Sequence, residues 1–225
     1  MVEGYQNIGL YESIDFDKPV NSMQIGMMPA KLAHMMINIG LAQYANSQVD
    51  KSQITIYDPF VGLGTTAFLA NTLGYDCMAS DIDVTAMKQN VNRRNEQPFA
   101  KNDKRIMIFK HDIFEPLKKP FLKNAQLIVT EGRLGPIITD RTSEREIFKA
   151  QDEIVKLYKA FLSNITSFYE HITAVFTLPI HTGPSYVKES VEERCQDNKL
   201  QYEFVSEVYK RAGQKVGRQV VIVKK

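Results

Sequence analysis

Residues 54–70, ITIYDPFVGLGTTAFLA, carry three local signals in succession. A β-branched run ends at Asp58, a turn with Gly62 and Gly64 follows, and an apolar helix begins near Thr65. Glycine lacks a Cβ atom, so it permits unusual backbone dihedral angles and lets a ligand approach the main chain closely. The first amides of a helix are unpaired donors at the positive end of its dipole. The stretch therefore predicts a strand, a glycine loop and a helix amino terminus at which a polar ligand binds.

The glycine loop is compatible with more than one class of ligand. The dinucleotide-binding pattern G-x-G-x-x-G has Ala67 at its third glycine position, where that pattern also allows alanine. A phosphate-binding P-loop is excluded, because no Gly-Lys-Ser/Thr sequence follows the glycines. A tight strand-to-helix turn without a ligand is the remaining alternative.

A second strand, predicted within residues 77–83 (CMASDID), also ends in an acid. Asp81 follows the glycines by about 20 residues, the spacing at which such folds place a carboxylate on ribose hydroxyl groups. Asp83 is explained more simply as the N-cap of a helix predicted over residues 84–94. We therefore assign Asp81 to a ribose.

The two motifs together resemble a known family. Residues 58–66, DPFVGLGTT, are similar to the D-P-F-x-G-x-G-T-T signature of class I S-adenosylmethionine-dependent methyltransferases, in particular the branch that methylates exocyclic amines of nucleobases in tRNA and DNA. Residues 79–83, ASDID, resemble the second motif of that branch, and the resemblance extends over about residues 24–223. It implies an α/β, Rossmann-like fold with a seven-stranded, mostly parallel sheet, helices on both faces and a C-terminal antiparallel hairpin. It also implies S-adenosylmethionine as the cofactor. The cofactor-binding residues that the two motifs imply are Asp58, Phe60, Gly62, Gly64, Thr65, Thr66, Asp81 and Ile82.

A further cofactor contact follows the third strand, predicted as a buried parallel strand over residues 105–110. In the family, an acid at this point hydrogen-bonds the adenine amino group, which implies that role for Asp112. A cap on the turn before Pro116 is the alternative explanation for this acid.

The segment before the glycine-loop strand reads as a helix over residues 27–39 with a proline near its start. The spacing of Leu32, Met35, Met36 and Ile39 predicts that these four residues form its buried face. In the resembled family, a helix at this position covers the methionine end of the cofactor, so Met28 is a candidate cofactor contact.

The fourth predicted strand, residues 126–130, leads into the sequence EGRLGP. Amine methyltransferases of the resembled branch usually have Asp or Asn, two prolines and an aromatic residue here. The acid or amide and a backbone carbonyl hold the hydrogens of a poorly nucleophilic amine, while the ring stacks on the flipped base. Glu131 keeps the acceptor and is the predicted catalytic residue, whereas Gly132 and Arg133 replace the prolines. Leu134 replaces the aromatic residue on the substrate side.

Four more residues are candidates for catalysis or substrate binding. Arg133 either contacts a phosphate or stacks on a base, or it is a surface cation paired with Glu131. His181, in a loop predicted after a fifth strand at 172–178, either touches the substrate or has no role. Residues 209–218 resemble a glycine and arginine hairpin of the same branch, in which Arg211 and Arg218 would meet nucleic-acid phosphates. A solubilising edge is the alternative for that hairpin.

The bulk composition is that of an ordinary globular chain, with 225 residues, 44% hydrophobic and 24% charged. A formal net charge of +2 neither excludes nor requires a nucleic-acid partner. Cys77 and Cys195 lack metal-ligand spacing, so no metal site is predicted and a reducing cytoplasm is the expected location. No signal-like segment or membrane-length apolar stretch occurs, and we expect no membrane partner.

We expect one methyltransferase domain over residues 1–225, with 1–23 as an extended arm and 24–46 as a helix before the glycine-loop strand. The longest helix is predicted over 142–169, where Ser143 and Glu146 have capping-box spacing.

Three functions are consistent with these residues. The leading hypothesis is methyl transfer from S-adenosylmethionine to a nucleobase nitrogen, with RNA favoured over DNA and a protein partner that supplies substrate recognition. The second is methylation of a small molecule or a protein, for which the absence of a base-stacking residue is no defect. The third is a catalytically weak, cofactor-binding subunit that supports a partner.

Overall fold

The computed structural model describes residues 7–18, 20, 28–45, 50, 53–92, 105–136, 138–210 and 213–225. The helices are α1 (Ile8–Phe16), α2 (Ala30–Ala42), α3 (Thr65–Thr72), α4 (Thr85–Asn92), α5 (Glu144–Phe168) and α6 (Val187–Asp197), with a short 3-10 helix at Pro120–Asn124. The strands are β1 (Thr55–Asp58), β2 (Asp76–Asp81), β3 (Ile106–Lys110), β4 (Leu127–Glu131), β5 (Thr173–His181), β6 (Gln201–Phe204) and β7 (Val216–Lys224).

The seven strands form one sheet in the order β3-β2-β1-β4-β5-β7-β6. Strands β1 to β5 run parallel, whereas β7 is antiparallel to both β5 and β6. The predicted α/β fold, with its mostly parallel sheet and C-terminal antiparallel pair, is therefore confirmed. The strand order reverses between β1 and β4, and open α/β sheets bind ligands in the crevice at the carboxyl ends of the strands at such a point.

Helices cover both faces of the sheet, because successive strand side chains point in opposite directions. Ile56 of β1 belongs to a core cluster that includes side chains of α1, α2, α3 and α4. Its neighbour Tyr57 belongs to a second cluster, which includes side chains of α5 and α6. Both layers are needed to bury the apolar strands of a parallel sheet.

The end of α3 and the start of α5 follow local sequence rules, and the capping box predicted for α5 is confirmed. Helix α3 ends at Thr72, and Gly74 has the positive φ of 93° expected just after a helix. Helix α5 begins with a complete capping box, in which Ser143 and Glu146 each bond the other's backbone N–H. These features depend on residues a few positions apart, which is why they can be read from the chain.

The amino-terminal segment differs from the prediction of an extended arm. Residues 8–16 form α1, whose first turn is capped by the Asn7 side chain through a hydrogen bond from the Leu10 N–H at 3.1 Å. Tyr11 and Ile14 are its buried residues. A helix of nine residues is too short to be stable alone, so burial of these two side chains, and not local propensity, explains why it forms.

The predicted buried face of α2 is confirmed at Leu32 and Met36 and wrong at its other two positions. Met35 is 43% exposed and Ile39 only partly buried, whereas Ala33, Ile37 and Gly40 are buried. A Cβ atom on Gly40 would lie 2.6 Å from a methyl carbon of Leu127 in β4. Helix α2 thus approaches the sheet along its smallest residues, and a count of large apolar residues cannot detect such a face.

Strand β3 is an edge strand and not the buried strand predicted. It pairs with β2 at the end of the described sheet, and Met107 is 44% exposed. Its apolar sequence resembles that of an interior strand, so the sheet order alone reveals its position.

None of the described helices has both the length and the apolar composition that crossing a bilayer requires.

Candidate active site

A cavity of about 880 Å³ opens at the carboxyl ends of the parallel strands. The glycine loop, the ends of β2 and β4, the loops after β3 and β4, and the segment before β7 form its walls. The cavity brings together most of the predicted site residues, namely Met28, Asp58, Phe60, Gly62, Thr65, Thr66, Asp81, Ile82, Asp112, Glu131, Arg133, Leu134 and Arg218.

The glycine loop has the geometry that its sequence predicts. Gly62 and Gly64 have φ angles of 48° and 93°, in the left-handed region that L-residues avoid. Gly64 itself lies behind the cavity wall, where an added Cβ would be 2.3 Å from the Met87 sulfur. Gly64 is thus required both by its φ angle and by the close approach of α4.

Asp58, at the end of β1, is buried beneath the glycine loop. It accepts hydrogen bonds from the Thr130 hydroxyl at 2.6 Å and the Phe60 N–H at 3.1 Å. Burial raises the pKa of the Asp58 carboxyl to about 7, although hydrogen bonds from Thr130, Phe60 and Thr66 oppose that shift. Asp58 therefore changes its charge near neutral pH.

Asp81, at the end of β2, ties its strand to the glycine loop. One carboxylate oxygen accepts the Gly62 N–H at 2.9 Å and the other receives a longer contact from the Asp83 N–H at 3.4 Å. Burial raises the pKa of Asp81, against the lowering effect of these backbone donors. Asp83 accepts the N–H of Thr85, the first residue of α4, at 2.9 Å, so it bonds the start of the helix from one residue before the N-cap and not from the N-cap position predicted for it.

The loop after β3 contributes an acid and two residues that the sequence did not single out for the site. Asp112 accepts the Phe114 N–H at 3.0 Å in a tight turn, and Phe114 is 59% exposed within the cavity wall. The buried Nε2 atom of His111 has no hydrogen-bond partner among the described residues. A phenylalanine two residues after the acid predicted to bind adenine was the available sequence signal for this wall.

Met28 and Lys18 lie on the other side of the site from the loop after β3, where the glycine loop leads into α3. Met28 is 6% exposed and lines the cavity. Lys18 is 3% exposed and donates a hydrogen bond to the Thr65 hydroxyl, at the amino end of α3, over 2.8 Å. Burial lowers the pKa of Lys18 to about 8, and the neighbouring Asp15 charge opposes the shift. The sequence did not indicate this contact, because Lys18 belongs to a segment that was predicted to be an extended arm.

Glu131 and Arg218 form a buried ion pair at the floor of the cavity. Arg218 Nε lies 2.7 Å from Glu131 Oε1, Arg218 Nη2 lies 3.3 Å from Oε2, and their side chains are 10% and 8% exposed. Thr177 donates a third hydrogen bond to Oε1 at 3.0 Å. Arg218, predicted as a phosphate contact, therefore has an internal partner. The predicted pairing of Glu131 with Arg133 is not found, because Arg218 occupies that carboxylate.

The outer wall of the cavity lies on the loop after β4. Arg133 is 67% exposed and approaches Glu153 of α5 at 3.8 Å. Leu134, Ile138 and Leu157 make this part of the wall apolar. The loop is tied to the segment before β7 by an ion pair between Asp140 and Lys215 at 2.8 Å. Arg211 lies outside the described residues.

His181 is the last residue of β5 and not part of a loop beyond it. It is 4% exposed, and neither ring nitrogen has a hydrogen-bond partner within the described part of the chain. Burial lowers the pKa of His181, so the neutral imidazole is favoured. His181 lies behind Gly135, whose added Cβ would be 3.9 Å from Nε2, and it does not line the cavity.

Across the described residues, no three His, Cys, Asp or Glu side chains are arranged to hold a metal ion.

No protein-family model matches the chain, and no curated protein matches its sequence. Several solved structures do resemble it. An rRNA methyltransferase from Streptomyces viridochromogenes, AviRa, has a TM-score of 0.58 at 13% identity, covering 97% of this chain and 94% of its own. A SAM-dependent methyltransferase from Methanosarcina mazei has a TM-score of 0.57 at 10% identity, covering 82% and 96%. Magnesium protoporphyrin IX methyltransferase from Synechocystis, solved with bound SAM, has a TM-score of 0.55 at 11% identity, covering 96% and 90%. At these identities the comparisons establish the Rossmann-like fold that the chain shares with these methyltransferases.

Proposed function

We propose that this chain is an S-adenosylmethionine-dependent methyltransferase that acts on a nucleobase nitrogen, with RNA favoured over DNA. The observation that supports this most is a single cavity that combines the glycine loop, Asp81, Asp112 and Glu131. The glycine loop, Asp81 and Asp112 suit a nucleoside cofactor. Glu131 lines the same cavity and suits a role in holding the methyl acceptor beside that cofactor.

The donor and acceptor groups at one end of the cavity fit an adenosine. The Asp81 carboxylate lines the cavity and can accept from a ribose hydroxyl, and Asp112 can accept from an exocyclic amino group. Ile82 and Phe114 are 60% and 59% exposed on the walls of this cavity. Large apolar side chains left open in a pocket suit a flat ring such as adenine.

The other end of the cavity fits an amino-acid moiety. The free amides at the start of α3 and the ammonium group of Lys18, which meets Thr65, favour a carboxylate. Met28 closes this side with an apolar surface. We therefore assign the methionine end of the cofactor to this corner.

When bound, S-adenosylmethionine supplies an activated methyl group on a sulfonium sulfur. The chain's own residues then have to align the acceptor and exclude water. Glu131 orients the acceptor by receiving one of its hydrogens, and Leu134 and Leu157 provide an apolar wall. Phe60 lines the same cavity and offers a ring for stacking, which Leu134 cannot.

A nucleic-acid substrate is supported by cations near the mouth of the cavity. Arg133 and Lys215 line it, and Lys210 is exposed on the neighbouring segment before β7. The rRNA methyltransferase of Streptomyces viridochromogenes is consistent with RNA as the acceptor. Because the net charge is only +2, a protein partner would add to substrate recognition.

The first test is calorimetric binding of S-adenosylhomocysteine. We expect binding by the purified chain, and we expect Asp81→Ala to weaken it by roughly 1 to 3 kcal/mol, the loss that follows removal of a buried polar partner. Glu153→Gln, on the exposed surface of α5, is the matched control and should bind normally. Failure of the folded wild-type chain to bind would overturn the cofactor assignment.

The second test is transfer of a labelled methyl group to bulk RNA, DNA, protein or small-molecule extract. Label in RNA supports the proposal. Label only in protein or metabolites would replace it with the second hypothesis, and binding without transfer would replace it with a cofactor-binding subunit.

A further inference from the structure

The ion pair of Glu131 and Arg218 joins three neighbouring strands at the floor of the cavity. Glu131 ends β4, Thr177 lies opposite it on β5, and Arg218 comes from β7, opposite Pro179 of β5. All three side chains are supplied by the interior of the sheet, where backbone hydrogen bonds hold each strand in register. This makes their relative positions more rigid than positions on loops.

A count of hydrogen bonds shows what Glu131 still offers to a ligand. An ionised carboxylate has about four acceptor positions, two on each oxygen. Oε1 receives Arg218 Nε and Thr177 Oγ1, so both of its positions are used. Among the described residues, Oε2 receives Arg218 Nη2 alone, so one position is left on a side chain that lines the cavity.

We propose that Arg218 and Thr177 are positioning residues that lock Glu131 so that its one remaining acceptor position is presented to the methyl acceptor. This inference rests on the proposed function. It assigns Arg218 an internal role instead of a contact with substrate phosphates. It also predicts that the acceptor amine donates one N–H hydrogen bond to Glu131. A second N–H of the same amine would have to donate to another group.

The physical reason for such a lock is the conformational freedom of glutamate. Glu131 has one more methylene group than the aspartate usual in the resembled motif, and the rigid prolines of that motif are replaced by Gly132 and Arg133. The planar guanidinium of Arg218 can hold both carboxylate oxygens at once, which a lysine ammonium cannot do. The pair therefore supplies the rigidity that the altered motif lacks.

The test uses Arg218→Lys and Thr177→Val, with wild-type enzyme, RNA and labelled S-adenosylmethionine. We expect both variants to bind S-adenosylhomocysteine within about twofold of wild type, because Asp81 and the glycine loop are untouched. We expect kcat to fall by about 10- to 100-fold, the scale of a misplaced catalytic group, with little change in the KM for RNA. Arg145→Lys, at an exposed position of α5 away from the cavity, is the matched control and should leave kcat unchanged.

The outcomes separate the two proposals. A wild-type chain without methyl transfer would overturn the proposed function itself. An active wild type whose Arg218→Lys variant shows unchanged kcat and raised KM would overturn only the positioning role and indicate a phosphate contact. If Arg218→Lys fails to fold, Thr177→Val decides alone, because it removes one hydrogen bond with little change of shape. Wild-type kcat in Thr177→Val would then refute the inference.

Discussion

The Tyr158 hydroxyl occupies the place where a side chain on Gly132 would begin. A Cβ atom built on Gly132 lies 2.7 Å from that oxygen and 2.9 Å from the adjoining ring carbon. Tyr158 is fully buried in α5 and donates a hydrogen bond to the Thr177 carbonyl at 2.6 Å. The glycine in the altered fourth motif is therefore explained by the packing of α5 beneath the loop.

Gly132→Ala should lower the free energy of unfolding by roughly 1 to 3 kcal/mol, because the new methyl group overpacks against Tyr158. Urea denaturation measures this change. Gly9→Ala in α1 is the control, since its Cβ would meet nothing closer than 3.7 Å and alanine favours a helix. Equal stability of Gly132→Ala and wild type would show that the loop moves freely away from α5.

Asp58→Asn should remove the part of the pH dependence of the free energy of unfolding that comes from the Asp58 carboxyl. The carboxyl pKa is about 7 in the folded chain against an ordinary 3.8, so the folded state binds this proton more tightly. The free energy of unfolding therefore falls as pH rises from about 4 to 7, and stays low above it. Above pH 7 the amide variant should be more stable by roughly 1 to 4 kcal/mol. It can still accept the bonds from Thr130 and Phe60.

The control for that prediction is Asp83→Asn, measured by denaturation at pH 5 and pH 8. Hydrogen bonds from Thr85 lower the pKa of Asp83 below its ordinary 3.8, so its contribution is lost only as pH falls below about 4, and Asp83→Asn should keep the wild-type slope between pH 5 and pH 8. Identical pH slopes for wild type and Asp58→Asn would contradict the raised pKa of Asp58.

Lys18→Met should weaken S-adenosylhomocysteine binding and reduce its dependence on pH between 7 and 9. Lys18 has a pKa of about 8 in the unliganded chain, and a bound carboxylate would raise it. Wild-type affinity should therefore fall as pH increases through this range, because the ammonium group loses its proton. Calorimetry at pH 7, 8 and 9 measures both effects. Lys31→Met, at an exposed position of α2, should behave as wild type. An unchanged affinity at pH 7 in Lys18→Met would place the carboxylate elsewhere.

Gly64→Ala should lower the free energy of unfolding more than Gly74→Ala does, although both glycines have a φ of 93°. The backbone strain is then the same at both positions, about 1 to 3 kcal/mol. Only Gly64 has a close neighbour, with the added Cβ 2.3 Å from the Met87 sulfur, whereas Gly74 has nothing within 4 Å. Thermal denaturation should show the larger loss for Gly64→Ala, and calorimetry should show weaker cofactor binding in that variant alone. Equal losses would mean that Met87 can move away.

The half of the cavity that we propose for the cofactor could be predicted further than the half that we propose for the methyl acceptor. Asp58, Gly62, Gly64 and Asp81 stand at strand ends and in a turn, and their spacing along the chain already places them at one edge of a parallel sheet. The acceptor half depends on residues distant in sequence. Nothing close to Glu131 along the chain indicates that Arg218, 87 positions later, pairs with it.

The sequence by itself determined the local elements of this protein: the strand, glycine loop and helix at 54–70, the acid after β2, and the capping box of α5. Each depends on residues close enough along the chain to interact in any compact state. Only the tertiary structure decided that α1 forms, that α2 packs on Ala33 and Gly40, and that Lys18 meets Thr65. It also placed β7 beside β5, which brings Arg218 to Glu131. These contacts arise from the order of strands and the packing of layers, which local periodicity does not encode.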